Sequence, residues 1–306
     1  MGDVALAFPK GDMRRVGALP AIYGLSEPPI YWPNGQNDTP RIFSESVLPL
    51  VEQYRYVTDV SVLGTTIDWT HEREWRLACR SFGVTEYDDW SSIPGLDFYQ
   101  KQITQIGVIV KTHAQACTIT HDLLALIDSG QANNHTFGFI LVTDALAAVQ
   151  NLQDRQQLSW VLKSATFNLD GFLLPQLNEQ CMNQTFSNLV QMEEQRAGLW
   201  ESGELGGCWL WLQDGTSQLA RALLRSGRVA VTSEGRYLAK LWEYSDSRGL
   251  RQRQVMTQQL AIQVLATFGV KCSYFSVQGS DNPSDLPSYS EWGDDNVPFL
   301  NCSWAQ

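Results

Sequence analysis

One segment restricts the fold more than any other, an order of strand, helix and strand that begins at residue 103. Residues 103–110 (ITQIGVIV) have the β-branched enrichment of a buried strand, and residues 137–142 (FGFILV) indicate a second one. Residues 112–129 between them have the apolar spacing of an amphipathic helix. Two buried strands joined by a helix are typical of a βαβ unit, in which the strands are parallel.

The flanking segments predict a mixed architecture. Residues 4–8 and 18–25 indicate short strands, and residues 65–79 one long strand or a strand with a bulge. Beyond the βαβ unit the sequence predicts helices at 144–165, 170–200, 217–224 and 252–268, and short strands at 208–212, 229–232 and 271–277. Pro175 falls in the first turn of the second helix, where proline is tolerated. We therefore predict an α+β fold, with α/β as the alternative: a mixed sheet in the N-terminal half and a mainly helical C-terminal half.

The polar run at residues 131–134 suggests a boundary between a mixed α/β region, 1–132, and a mainly helical region with an irregular acidic tail, 133–306. The βαβ pattern crosses this boundary, so one continuous domain is the alternative.

Composition narrows the class of protein. Of 306 residues, 43% are hydrophobic and 18% charged, as in globular proteins with a core. The net charge of −11 disfavours broad nucleic-acid binding, which needs many cations. No apolar run reaches the roughly 18 residues of a membrane helix, and the first residues lack the pattern of a signal peptide. We therefore expect no membrane partner, a cytoplasmic location and six free, mostly buried cysteines.

The densest group of charged and aromatic side chains is the segment 69–77 (WTHEREWRL). In an extended chain, alternate residues share a face, so Glu72, Glu74 and Arg76 would form an acid–acid–base row opposite His71 and Trp75. We predict a site with Glu72, Glu74 and Arg76 as catalytic residues. Two neighbouring carboxylates repel, so a cation from the N-terminal segment, Lys10 or Arg14, is expected beside them.

The ligand-binding residues of this predicted site are Lys10, Arg14, His71 and Trp75. The alternative is an edge strand with solvated charges and Trp75 anchored in the core.

Three features of residues 2–130 together resemble a known family: the start GDVALAFPKGDMRRVGALPAIYGL, the block EREWR at 72–76, and the segment ITQIGVIVKTHAQACTITHDLLALI. Their order is similar to that of the AbiGi-type abortive phage-resistance proteins and their relatives of unknown function. The resemblance implies a prokaryotic defence protein of unknown reaction.

The spacing of Glu72 and Glu74 also resembles that of ADP-ribosyltransferases, in which a glutamate hydrogen-bonds the nicotinamide ribose. This likeness suggests nucleotide or NAD handling, although the sequence fixes no cofactor. The alternative is a non-enzymatic module that binds a protein partner or a nucleotide.

Two further patterns carry candidate chemistry. His113, Cys117 and His121 are spaced i, i+4 and i+8 on the predicted helix, where two neighbours can share a zinc ion. We expect no zinc, and a helix with Cys117 facing the core. Residues 221–253 are basic and contain aromatics, which suits a phosphate or a stacked base, or else a solvated face paired with the acidic tail.

Overall fold

The computed structural model describes residues 4–25, 49, 52, 55–62, 65–67, 74–77, 98, 101–146, 154–175, 178–198 and 204–285. The chain divides into two compact units, described separately below. The large unit comprises Met1–Ala7 and Gln105–Gln306, and the small unit Phe8–Thr104. The predicted boundary at residues 132 and 133 lies inside the large unit.

The first sheet of the large unit contains the predicted βαβ unit. Its strands are Val4–Ala7 (β1), Ile106–Val110 (β7), Phe137–Val142 (β8) and Thr166–Phe167 (β9), in the order β1-β7-β8-β9. β7 and β8 are parallel and the other pairs antiparallel, so the sheet is mixed. The helix His113–Asp128 (α2) connects β7 to β8, which confirms the predicted βαβ unit. α2 begins with a capping box in which Thr112 and Gln115 satisfy each other's backbone N–H groups.

The second sheet of the large unit is antiparallel, with strands Gly206–Leu212 (β10), Val229–Val231 (β11), Tyr237–Ala239 (β12) and Cys272–Gln278 (β13), in the order β11-β12-β10-β13. All seven residues of β10 are buried. A strand buried on both faces has a continuous apolar sequence, as the run CWLWL at 208–212 shows.

The remaining helices of the large unit are Arg155–Ser164 (α3), Asp170–Leu173 (α4), Glu179–Arg196 (α5), Gln218–Arg225 (α6) and Leu250–Phe268 (α7). Three of them, α5, α6 and α7, share one apolar core with β10 and β12; its fully buried members include Phe186, Val190, Leu210, Leu212, Leu219, Leu223, Leu260 and Val264. α7 ends at Phe268 and is followed by the cap residue Gly269, whose left-handed backbone (φ 71°) glycine adopts without steric cost. The prediction of an α+β fold is confirmed.

The helix predicted for residues 170–200 is interrupted in the structure. α4 ends at Leu173, α5 starts at Glu179, and Leu174 is extended (φ −80°, ψ 148°). The cause is Pro175, because a proline drives the preceding residue out of the helical region. The prediction that Pro175 lies within the first turn of one long helix is therefore wrong.

The small unit contains the helix Lys10–Arg15 (α1) and the strands Leu19–Pro20 (β2), Ile22–Leu25 (β3), Tyr56–Val62 (β4), Thr65–Ile67 (β5) and Trp75–Arg76 (β6). β3, β4 and β5 form one sheet and β2 pairs with β6. Within the predicted long strand 65–79, β5 and β6 thus belong to two different sheets. Residues 68–73 between them lie outside the described part, as do residues 78 and 79.

Candidate functional site

The predicted catalytic residues Glu74 and Arg76 meet in the small unit. Glu74 precedes β6, and its carbonyl accepts the backbone N–H of Ala21 at 2.8 Å. Because alternate residues of an extended chain share a face, the Arg76 side chain reaches back to Glu74. Arg76 Nε donates to Glu74 Oε1 at 2.8 Å and Nη2 donates to Oε2 at 3.2 Å. Both carboxylate oxygens are engaged, while the two side chains stay 36% and 33% exposed.

Lys10, one of the two cations predicted beside this stretch, lies over Trp75. Its Nζ is 5.9 Å from the centroid of the Trp75 ring, within the range of a cation–π interaction. Lys10 is the first residue of α1, and Arg14 follows four positions later on the same face of that helix. Lys10 and Arg14 are exposed, whereas Trp75 is half-buried.

The helix that carries these two cations is fixed by its other face. Arg15 donates to the carbonyls of Lys101 and Gln102, each at 2.8 Å, and to Asp12 at 3.2 Å. Asp12 in turn accepts the backbone N–H of Thr104 at 3.2 Å. That hydrogen bond is the main reason that the pKa of Asp12 is lowered, and the Arg15 charge acts in the same direction. α1 is thereby tied to residues 101–104, which orients Lys10 and Arg14.

The predicted site residues His71 and Glu72 lie outside the described residues, and so does Arg73. The proposed acid pair of Glu72 with Glu74 and the role of His71 therefore stay predictions. Lys10, one of the two N-terminal cations expected near these residues, lies over the ring of Trp75.

The three residues of the possible zinc stripe on α2 have separate surroundings. His113 makes an edge contact with the ring of Phe167, with centroids 4.8 Å apart. Cys117 is exposed, so the expectation that it faces the core is wrong. His121 accepts the backbone N–H of Gly215 at Nδ1, at 3.0 Å. No group of three His, Cys, Asp or Glu side chains within the described ranges is arranged to hold a metal ion.

The cysteines are less buried than composition predicted. Of the four described, Cys117 and Cys181 are exposed, Cys208 is buried and Cys272 is half-buried, all as free thiols. Burial raises the pKa of Cys208 to about 11, which leaves that thiol protonated and unreactive at neutral pH.

His121 belongs to a polar group that the sequence did not reveal. Its ring lies 5.5 Å from that of Tyr237, measured between centroids. Burial lowers the pKa of His121, against the opposing charges of Asp122, Asp214 and Asp128. Because a backbone N–H can only donate, the Nδ1 that accepts it is unprotonated, and neutral His121 carries its proton on Nε2.

The centre of this group is a buried ion pair between Asp128, the last residue of α2, and Arg221 of α6. The two side chains are 6% and 3% exposed and make two hydrogen bonds, of which Arg221 Nη2 to Asp128 Oδ1 measures 3.1 Å. The Tyr237 hydroxyl donates to Asp128 Oδ2 at 2.7 Å. Burial and then the Asp128 charge raise the pKa of Tyr237, which keeps its phenol neutral. We name Asp128, Arg221, Tyr237 and His121 the buried polar network.

Gly215 lies close against the ring of Tyr237. A Cβ atom on Gly215 would lie 2.4 Å from the Tyr237 ring, so the loop can lie against that ring only with a glycine. The loop then presents the Gly215 N–H to His121.

Most arginines of the basic segment 221–253 form ion pairs with acidic side chains of the same chain. Five of them pair with acidic side chains of the described residues: Arg221 with Asp128, Arg225 with Glu179, Arg228 with Glu243, Arg236 with Glu234 and Arg248 with Glu194. Arg228 also lies between the rings of Phe186 and Trp242, 4.6 and 5.2 Å from their centroids. These five acidic partners all precede Lys271. Pairing of this segment with the acidic tail stays a prediction, because residues 286–306 lie outside the described part of the chain.

Comparison with known proteins adds one match. Residues 180–302 match the model of a family described as a protein of unknown function (DUF4427). The match covers less than half of the chain and includes α5, α6, α7 and the second sheet. No curated protein and no solved structure matches the chain. Within the described residues, no helix is both long and apolar enough to cross a membrane.

Proposed function

We propose that this chain is a nucleotide-binding module of a prokaryotic defence protein of the abortive-infection type, and that it acts in the cytoplasm. The ligand would lie on the surface formed by Lys10, Arg14 and Trp75, which we name the Lys10–Trp75 surface. The observation that carries this proposal is the position of Lys10 Nζ, 5.9 Å above the Trp75 ring.

The charges around Trp75 favour an anionic ligand. The charges of Glu74 and Asp12 are each balanced by an arginine, Arg76 and Arg15. Lys10 and Arg14 form no ion pair with any carboxylate of the described residues. Lys10 lies over a half-buried indole, and Arg14 follows one helical turn later on α1. This arrangement suits a nucleotide, because a phosphate binds lysine and arginine while a base stacks on an aromatic ring.

The geometry of Glu74 supports binding rather than catalysis. A carboxylate that acts as a general base, or that accepts a ribose hydroxyl, needs an oxygen within reach of the substrate. Arg76 holds both Glu74 oxygens. An NAD-handling enzyme with Glu74 as a catalytic residue would have to open this pair first.

The defence role rests on the resemblance of residues 2–130 to the AbiGi-type proteins. The Lys10–Trp75 surface is built entirely from that part of the chain. In such a role, the bound nucleotide would report the state of an infected cell.

The binding proposal is tested by titrating the purified chain with ATP, ADP and NAD in a calorimeter. We expect saturable binding of at least one of them. Trp75→Ala should weaken it by about 1–3 kcal/mol, the usual contribution of one stacked base, or roughly 5- to 150-fold. The double variant Lys10→Ala, Arg14→Ala should weaken nucleotide binding by a larger factor at low salt than at high salt.

Lys101→Ala is the matched control, because Lys101 is an exposed cation of the same unit and accepts a hydrogen bond from α1 at its backbone carbonyl, which the substitution keeps. It should leave the affinity unchanged. Absence of saturable binding for all three nucleotides, or an unchanged affinity of Trp75→Ala, would overturn the proposal.

The defence role has a separate test in bacteria that express the chain. We expect phage to plate less efficiently on these cells than on cells with an empty vector, and Trp75→Ala to remove the difference. Loss of protection in Glu74→Gln, with nucleotide affinity and thermal stability intact, would instead indicate an enzyme. Plating that equals the vector control would contradict the defence role.

A further inference from the structure

From Val255 onward, the outer face of α7 carries a mainly apolar row without any charge. Val255, Ile262 and Leu265 are 53%, 58% and 48% exposed, and Gln258 is exposed between them. These four positions are spaced three, four and three residues apart, which is the spacing of a seam between two packed helices. No residue from 254 to 268 is charged.

α5 lies beside α7, and its residues 180–192 extend this uncharged surface, which ends before the exposed Arg196. Gln252 at the start of α7 donates to the carbonyl of Gly198, just beyond the end of α5, and Gln263 donates to Glu193 at 2.9 Å. Both helices share one core with the same sheet, so their exposed faces point away from it. Residues 180–192 of α5 contain no charge, and its exposed Met192 adds a further apolar side chain.

We infer that this surface is an interface between two copies of the chain, formed by parallel pairing of α7 with α7 of a second copy. β-branched Val255 and Ile262 at one seam position and Leu265 at the other are the combination that favours two-stranded parallel packing. In such a pair Gln258 faces Gln258 of the second copy. A glutamine amide both donates and accepts, so the two satisfy each other when water is excluded.

Charge favours a second copy at this surface. Two chains of net charge −11 repel each other, and the repulsion is smallest where the facing surfaces carry no carboxylate. The exposed side chains that flank the seam, Gln259 and Ala266, are also uncharged. In helix pairs, charged flanking positions select a partner of opposite charge. The uncharged flanking positions of α7 impose no such selection.

The outline of this surface is somewhat smaller than the share of one partner in a standard interface, so we expect a dimer that forms as the concentration rises. α7 has 19 residues and is therefore about 28 Å long, and two packed helices form a layer roughly 20 Å wide. The ridges of side chains give such a layer more accessible area than its outline of about 560 Å². This is comparable with the roughly 800 Å² that each partner contributes to a standard interface.

Sedimentation velocity of the full chain in reducing buffer tests the inference, over a range of concentrations. We expect the wild type to move from monomer to dimer as concentration rises. Ile262→Glu and, separately, Ile262→Lys should each remain monomeric, because like charges would face each other across the pair. An equimolar mixture of the two should recover the dimer, because the opposite charges then face each other.

Trp160→Glu is the matched control, since Trp160 is 72% exposed on α3 and undergoes the same kind of change. It should dimerise like the wild type, and circular dichroism should show that every variant is folded. A wild type that stays monomeric overturns the inference and leaves the surface to a different partner. A dimer that persists in Ile262→Glu, or that the mixture does not recover, overturns the pairing of α7.

Discussion

The Glu74–Arg76 pair of the small unit and the Asp128–Arg221 pair of the large unit have the same chemistry in different surroundings. The first joins residues two positions apart, and each side chain is about one third exposed. The second joins residues 93 positions apart, and both are nearly fully buried. Water screens the charges of the first pair. The charges of the second pair are shielded from water, so removal of either one leaves the other buried and uncompensated.

This comparison changes which cluster of charges is informative about function. An exposed pair contributes little to stability, so its side chains can serve a ligand without cost to the fold. The buried polar network holds α2, α6 and β12 together, and its charges are already satisfied by one another. The basic segment 221–253 is therefore mainly architectural, while Lys10 and Arg14 of the Lys10–Trp75 surface are exposed.

The largest expected effect is on the buried pair. Arg221→Met should lower the free energy of unfolding by about 3–5 kcal/mol, because it leaves the Asp128 carboxylate buried without its cation. Denaturation by urea measures this loss, with exposed Lys240→Met as control. Adding Asp128→Asn should recover part of it, since the double variant contains no buried unpaired charge. A loss below about 1 kcal/mol for Arg221→Met would place this pair in the same class as surface pairs.

A smaller effect is expected from pH at the same network. Burial lowers the pKa of His121 below its unfolded value of about 6.5, so the folded state disfavours the charged imidazole. The stability contributed by neutral His121 is present above that value and is lost as pH falls through it towards the folded pKa. Protonation at Nδ1 would also break the hydrogen bond from Gly215.

The free energy of unfolding of the wild type should therefore fall more between pH 7.5 and 5 than that of His121→Gln, whose amide oxygen can still accept the Gly215 N–H. The same comparison with His113→Gln, on the exposed side of α2, serves as control. Equal pH dependence in the wild type and His121→Gln would contradict the assigned tautomer and its role.

The smallest effect is expected at the exposed pair. Glu74→Gln should change the free energy of unfolding by no more than about 1 kcal/mol, the range for exposed ion pairs. Thermal melting of the purified variant gives the answer, and Glu52→Gln, which removes a similar pair with Arg55, is a control in the same unit. A loss comparable with that of Arg221→Met would show that Glu74 is structural.

Much of the fold follows from local sequence patterns. The β7–α2–β8 unit and the positions of α6, α7 and β13 agree with predictions to within a few residues, because apolar periodicity reports directly on which face is buried. The predictions fail where two local rules conflict, or where contacts with residues distant in the sequence determine the structure. At Pro175, the restriction on the preceding residue outweighed the tolerance of proline in a first turn.

The candidate site was predictable in part for the same reason. Glu74 and Arg76 are two residues apart, so the period of an extended chain alone places them together. The sequence predicted a cation from the N-terminal segment near the acidic residues, and among the described residues Lys10 lies over the ring of Trp75.

The sequence by itself thus determined the α+β class, the parallel βαβ unit and the pairing of near neighbours, since each depends on periodicity over a few residues. Only the tertiary structure decided which carboxylates neutralise the arginines of residues 221–253, that Cys117 is exposed, and that α5 and α7 pack on one core. Asp128 and Tyr237 are 109 positions apart and carry no local signal of their contact. The physical reason is that burial and pairing depend on which surfaces pack together, and one stretch of sequence does not contain that information.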